Sequence, residues 1–175
     1  MKYDLFSIPL LIDDIDCSKV NIDVEGSLIS FGSELNTTFD LVNKVDQNSL
    51  DYIYKIIVKN LNEVISVPYI AKPGNIWKNY YKQNDFQEKH IHGGSDFSYI
   101  IYDSLNSNTV FVHPAHYLIK EKYGDKDIFQ TEFSIDDKLS KIIIFPSFLE
   151  HYVTKQKSSG TTISGNLKIT LEGNK

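Results

Sequence analysis

The sequence predicts a mainly β fold, a barrel or jelly-roll sandwich with a helix packed outside it. Three observations carry this. After Gly74, short apolar runs recur between clusters of Asn, Asp, Gly, Ser and Lys, the pattern of strands joined by turns. Only one stretch, beginning near Asn48, spaces its apolar residues as a helix does. The 175 residues, 41% hydrophobic and 13% aromatic, hold enough apolar material for a core, and no repeat, low-complexity tract or Pro/Gly-rich linker divides them. Residues 1–175 therefore read as one domain. An immunoglobulin-like sandwich has no need of the helix, whereas a jelly roll accommodates it.

Taken in order, Leu5 to Ile12 and Ser27 to Phe31 read as strand or extended edge. Leu50, Ile53, Ile56, Ile57, Leu61, Val64 and Ile65 then form an amphipathic stripe, which predicts a helix from about Ser49 to Ser66, with Asn48 or Ser49 as cap and Pro68 just past its end. Strands follow at Ile76 to Lys82, Phe97 to Tyr102, Val110 to His113, Lys141 to Phe145 and Thr161 to Leu171. The last alternates Thr161, Ile163, Gly165, Leu167 and Ile169 on one face with Thr162, Ser164, Asn166 and Lys168 on the other.

Eighteen cations against 23 acidic residues leave a net charge of -5, and every cation is a lysine because the chain contains no arginine. It thus lacks both a positive field and the guanidinium fork that reads phosphate or guanine, which argues against a nucleic-acid partner. The single cysteine, Cys17, excludes an internal disulfide, and the first apolar run is broken by Pro9 and followed by acids. A reducing cytoplasm is the expected compartment. No apolar stretch approaches the roughly 20 residues of a membrane helix, so no membrane partner is expected, while the exposed edges of a jelly roll suit a homodimer.

The five histidines carry the chemistry. His90 and His92 are two apart ahead of Gly93 and Gly94; on an extended strand such residues share a face, so their imidazoles can converge on one ion at bond lengths of about 2.0 to 2.1 Å. The third donor expected from a distant strand is His151, which follows an apolar run and the turn at Pro146. His113 and His116 have a spacing that suits a helical turn interrupted by Pro114, and they read as surface or loop residues.

Several spaced motifs then occur in order: Trp77-x-Asn79, His90-x-His92, the strand with Ser98 and Tyr102, the segment Phe145-Pro146-Ser147-x-x-x-His151, and a last strand with Ser164 and Asn166. Across about residues 76 to 169, with a weaker echo in the Leu-Phe-x-x-Pro stretch within Leu5 to Leu10, the chain resembles the 2-oxoglutarate- and iron(II)-dependent oxygenases of marine bacteria and their phages. The resemblance implies a double-stranded β-helix, a jelly-roll barrel with one or a few flanking helices and Fe(II) at its open end. It implies His90, His92 and His151 as metal ligands, 2-oxoglutarate as cosubstrate, and Asn79, Ser98, Tyr102, Ser164 and Asn166 as residues about the cosubstrate. The reaction it implies is hydroxylation of a small-molecule or peptide substrate.

Two features set the chain apart. The wider superfamily holds iron with two histidines and a carboxylate, so either His92 replaces the acid, the preferred reading, or Glu88, Asp96 or Glu150 completes the shell. The resemblance also places an arginine for the cosubstrate's far carboxylate where Gly160 stands. Among the lysines, Lys168 has the right face but lies about 26 Å along the strand; Lys155, Lys157, Lys78 and Lys141 are the other candidates. Two alternatives stay open: a degenerate barrel serving as a binding or structural module, and a three-histidine metal enzyme, a zinc hydrolase or an iron dioxygenase, that uses no oxo acid.

Overall fold

A computed structural model of the chain describes residues 7–25, 28–31, 35–39, 41–104, 108–124, 126, 128–136 and 138–172. Its elements are β1 (Leu11–Asp14), β2 (Ile22–Glu25), β3 (Ile29–Phe31), β4 (Leu35–Thr37), β5 (Val42–Val45), α1 (Gln47–Leu61), β6 (Tyr69–Tyr81), β7 (Gln87–His90), β8 (Phe97–Tyr102), β9 (Thr109–Val112), α2 (His116–Tyr123), β10 (Glu132–Ser134), β11 (Lys141–Pro146), β12 (His151–Val153) and β13 (Gly160–Leu171). One sheet runs β1-β11-β8-β13-β6-β4-β3 and a second runs β10-β9-β12-β7, every pairing antiparallel; β2 and β5 form a separate ribbon. From β6 to β13 the chain winds back and forth between the two large sheets. This is a double-stranded β-helix.

The apolar pattern explains why the sheets stack this way. β8 and β11 are buried on both faces, as continuous apolar runs require. One face, with Tyr99, Ile101, Ile142, Ile144, Ile163 and Leu167, packs under Ile53, Ile57 and Leu61 of α1. The opposite face, with Ile100, Tyr102, Ile143 and Phe145, meets Phe111 of β9 and Leu149 in the space between the sheets. The alternation expected along β13 holds: Ile163 and Leu167 join the core under the helix, and Thr162 and Ser164 turn into the barrel.

The helix is shorter than its stripe, ending at Leu61; beyond it Val64 is exposed, while Ile65 still packs against the core from outside the helix. Its cap is Asp46, whose carboxylate accepts from the Ser49 amide at 3.1 Å and from the Ser49 hydroxyl; Ser49 lies inside the first turn. A second helix, α2, follows Pro114, which precedes a helix as readily as it interrupts one. α2 buries His116 at its first residue, so that histidine is interior rather than surface, while His113 is exposed. Leu5, Phe6 and Ser27, part of the anticipated N-terminal strands and of the Leu-Phe-x-x-Pro echo, lie outside the described residues. No helix among the described residues is long and apolar enough to cross a membrane.

Gly165 of β13 pairs with Tyr99 of β8, and a Cβ there would overlap the Tyr99 ring. The glycine lets that aromatic lie flat across the central strand. We expect Gly165→Ala to lower stability by about 1–3 kcal/mol, as overpacking does, and Tyr99→Val in the same chain to recover much of the loss. Urea midpoints of the two variants test this; equal destabilisation in both would contradict it.

Candidate metal centre

His90 is the last residue of β7 and His151 the first of β12, and the two are register partners. His92 lies just beyond β7, where its amide donates to the Ser147 carbonyl at 3.0 Å. The chain then turns through Gly94, whose φ of 82° suits glycine. Ring centroids lie 4.3 Å apart for His90 and His151, 5.1 Å for His92 and His151, and 5.4 Å for His90 and His92. One nitrogen from each ring falls within 4.8 Å of the others.

Hydrogen bonds decide which nitrogens these are. His90 Nδ1 donates to the Glu88 carbonyl at 2.7 Å, His151 Nδ1 to the Leu149 carbonyl at 3.0 Å, and His92 Nδ1 to Asn166 Oδ1 at 2.8 Å. Every Nδ1 is therefore committed, and the three Nε2 lone pairs are left for a shared ion, the arrangement in which an outer partner sets tautomer and ring orientation. Asn166 is itself held, its Oδ1 accepting from Ser98 Oγ at 2.9 Å while Ser98 bonds Ser147 at 2.7 Å. Burial pushes all three imidazoles below their ordinary value: His92 to about 4, His90 downward, and His151 well below. The set is neutral before any metal arrives, so a cation displaces no protons near pH 7. Three imidazoles suit a divalent transition metal such as iron or zinc, and the residues present fit one.

None of the three acids considered as a substitute ligand joins this group among the described residues. Asp96 instead accepts from the Ile169 amide at 2.8 Å, Glu88 is exposed, and Glu150 contributes its backbone carbonyl to the Val112 amide.

Two cavities flank the histidines. The inner one, about 20 Å³, is bounded by the histidines, Asn79, Tyr81, Gln87, Thr109, Thr162 and Ser164, with apolar walls. It has room for a water or two. The outer one, about 180 Å³, lies against Leu35, Thr37, Phe39, Trp77, Ile91 and Asn166. Trp77, Asn79, Gln87, His90 and His92 border both. Of the residues anticipated around the cosubstrate, Asn79 and Ser164 line the inner cavity, Asn166 lines the outer one and orients His92, Ser98 stands behind Asn166, and Tyr102 is buried with its hydroxyl on Thr109.

Tyr81, Gln87, Thr109 and Thr162 were not singled out from the sequence. Thr162 was legible in the alternation of β13, but Tyr81 and Gln87 reach the site only because β6 and β7 converge there. Asn79 Nδ2 donates to Thr162 Oγ1 and Ser164 Oγ, each at 3.3 Å, and its Oδ1 accepts from Thr37 at 2.8 Å.

No formally charged side chain lines the inner cavity among the described residues. Lys78 pairs with Asp103 at 3.0 Å, Lys141 pairs with Asp14, and Lys155 lies over the Phe86 ring, 5.9 Å from its centroid. Lys157 and Lys168 are exposed, and the buried Lys138 donates to Asn108 at 3.3 Å.

Residues 75–166 match the family described as "Putative 2OG-Fe(II) oxygenase". The fold is shared with an oxidoreductase of the 2OG-Fe(II) oxygenase family from Burkholderia pseudomallei, at 9% identity and TM-score 0.52 over 89% of this chain and 71% of that one. It is shared also with the viral collagen prolyl hydroxylase of Paramecium Bursaria Chlorella virus-1, solved as a 2OG complex, at 15% identity and TM-score 0.51 over 78% of each chain. A Trichoplax adhaerens prolyl hydroxylase, solved with a hypoxia-inducible-factor peptide, aligns at 11% identity and TM-score 0.51 over 78% of this chain and 63% of that one. No curated protein matches.

Asn166→Ala frees the His92 ring, and we expect metal affinity to fall about 10- to 100-fold, measured by calorimetry with Fe(II) under argon; unchanged affinity would contradict the orienting role. A second expectation concerns acid. Because the three imidazoles titrate below 6.5 in the folded protein, the unfolded chain takes up protons first. Stability of the metal-free protein is full above about pH 6.5 and drains as pH falls toward about 4. Urea unfolding at successive pH values checks this, with a shallower decline expected for His151→Gln.

Proposed function

Because the chain belongs to the 2OG-Fe(II) oxygenase family, we propose that it is an Fe(II)- and 2-oxoglutarate-dependent hydroxylase acting on an uncharged, largely apolar group of a small-molecule or peptide substrate. The observation that carries this reading is the set of three imidazoles with every Nδ1 bonded and every Nε2 free to face one point. A barrel retained only as a structural module has no need for three neutral, pre-oriented histidines, two half-buried and one buried. When bound, Fe(II) and 2-oxoglutarate supply dioxygen activation and a two-electron oxidation, with succinate and carbon dioxide as the products of the oxo acid.

The chain's own contributions follow from the geometry. His90, His92 and His151 would hold the metal through Nε2, and the carbonyls of Glu88 and Leu149 together with Asn166 keep the rings from rotating. Three neutral ligands leave the metal's double positive charge uncompensated, which favours an anionic chelating cosubstrate at the open positions. The inner cavity, with its hydroxyl and amide groups, suits the polar tail of that cosubstrate. As the side chains stand it is too small for a five-carbon diacid, so Gln87, which borders both cavities and accepts a 3.3 Å bond from Tyr81, has to swing aside.

The outer cavity supports the substrate class. Phe39 meets Trp77 edge to face at 4.9 Å, and Leu35 and Ile91 extend the apolar wall. Among the described residues no formally charged side chain lines it, so an ionic group placed there would go unpaired.

Purified protein given Fe(II), 2-oxoglutarate and dioxygen is expected to release succinate, detected by chromatography. His90→Ala and His151→Ala are expected to lower the rate by more than about 100-fold, since losing a ligand exceeds the effect of losing its outer support. Metal-loaded protein with neither succinate release nor 2-oxoglutarate binding would overturn the reading.

A further inference from the structure

The polar side chains of the inner cavity include a buried phenol donor, Tyr81. Asn79 Nδ2 donates to Thr162 Oγ1 at 3.3 Å, Thr162 and Tyr81 line the same cavity, and the Tyr81 hydroxyl donates to Gln87 Oε1 at 3.3 Å. The donor that meets Gln87 is the Tyr81 O–H. Its present acceptor is the amide oxygen of Gln87, a side chain that borders both cavities, so displacing it leaves a buried phenol donor lining the inner cavity. Tyr81 is 3% exposed and sits opposite Gly160 in the β6–β13 register. Gly160 has the same strand parity as Thr162 and Ser164, both of which line the cavity. A side chain at 160 would therefore point toward it, and glycine contributes none.

We propose that Tyr81, backed by Thr162 and Asn79, holds the far carboxylate of 2-oxoglutarate through neutral hydrogen bonds alone, so that the site separates 2-oxoglutarate only weakly from an oxo acid of equal length with an uncharged tail. This rests on the oxygenase reading above. A carboxylate buried without a cation loses much of its hydration, and hydrogen bonds from neutral donors offset part of that loss, each charge-assisted bond being stronger than a neutral one. An uncharged tail forgoes those bonds and also avoids the desolvation cost. The two effects oppose each other, which compresses the preference. An arginine would favour the carboxylate outright, because its fork pairs both oxygens.

The test uses the full chain loaded with Fe(II) under argon, with binding of 2-oxoglutarate and of 2-oxopentanoate followed by calorimetry and by the visible absorption of the iron–oxo acid chelate. The expected affinities differ by less than about tenfold, equivalent to one modest interaction. Tyr81→Phe is expected to weaken 2-oxoglutarate by about tenfold and to leave 2-oxopentanoate unchanged. Gly160→Arg is expected to strengthen 2-oxoglutarate by about tenfold or more, again without effect on 2-oxopentanoate. A preference of the unmodified protein for 2-oxoglutarate above about 100-fold would overturn the proposal by requiring a cation, and so would a Tyr81→Phe effect equal on both acids. Because the comparison in the unmodified protein stands alone, misfolding of a variant does not blunt it. Binding of Fe(II) with neither acid bound removes the oxygenase reading itself, a different outcome from a strong preference between the two.

Discussion

The antiparallel pairing of β12 with β7 sets His151 across from His90, and the metal centre follows from that register. A slip of one residue would turn His151 to the opposite face of its sheet, and two imidazoles from β7 and its turn would remain without a third. The pairing is buttressed on the other side, where β12 also pairs with β9 and His151 lies opposite Phe111. It is held from below by the core of Phe111, Phe145 and Leu149. A packed apolar interior thus specifies a polar geometry, because the strands cannot shift without exposing the residues beneath them.

Burial then does two things to that geometry. It keeps the imidazoles neutral, and it makes each Nδ1 depend on a fixed carbonyl oxygen, since an unpaired buried N–H is costly. The carbonyls of Glu88 and Leu149 come from each histidine's own strand or turn and cost the fold little to supply. His92 has no such neighbour, and the chain answers with the relay of Asn166, Ser98 and Ser147 from three separate segments. The residues about His92 are accordingly those most exposed to substitution elsewhere in the barrel.

The inner cavity shows the same economy of charge. Lys78 and Lys141 sit in ion pairs at the rim of the sheets, and the lining of the cavity is hydroxyl and amide. A site without fixed charge relies on donor direction, which the bonds from Asn79 to Thr162 and from Tyr81 to Gln87 supply.

Much of this was legible in the residues themselves. The period-two alternation of β13, the apolar runs of β8 and β11 and the helical stripe after Asn48 are local patterns, set by the geometry of strand and helix, and they placed the elements within a few residues. The three-histidine cluster was legible because His90 and His92 are neighbours in sequence and His151 follows a buried strand. What lay beyond the sequence was whatever depends on contact between segments far apart in the chain: the fixing of His92 Nδ1 by Asn166; the exclusion of Asp96, whose carboxylate is spent on the Ile169 amide; the burial of His116; and the part of Tyr81 and Gln87 in the inner cavity. The absence of arginine was plain from composition. That no lysine among the described residues lines the cavity in its place was decided by strand direction and ion pairing, which only the packed sheets determine.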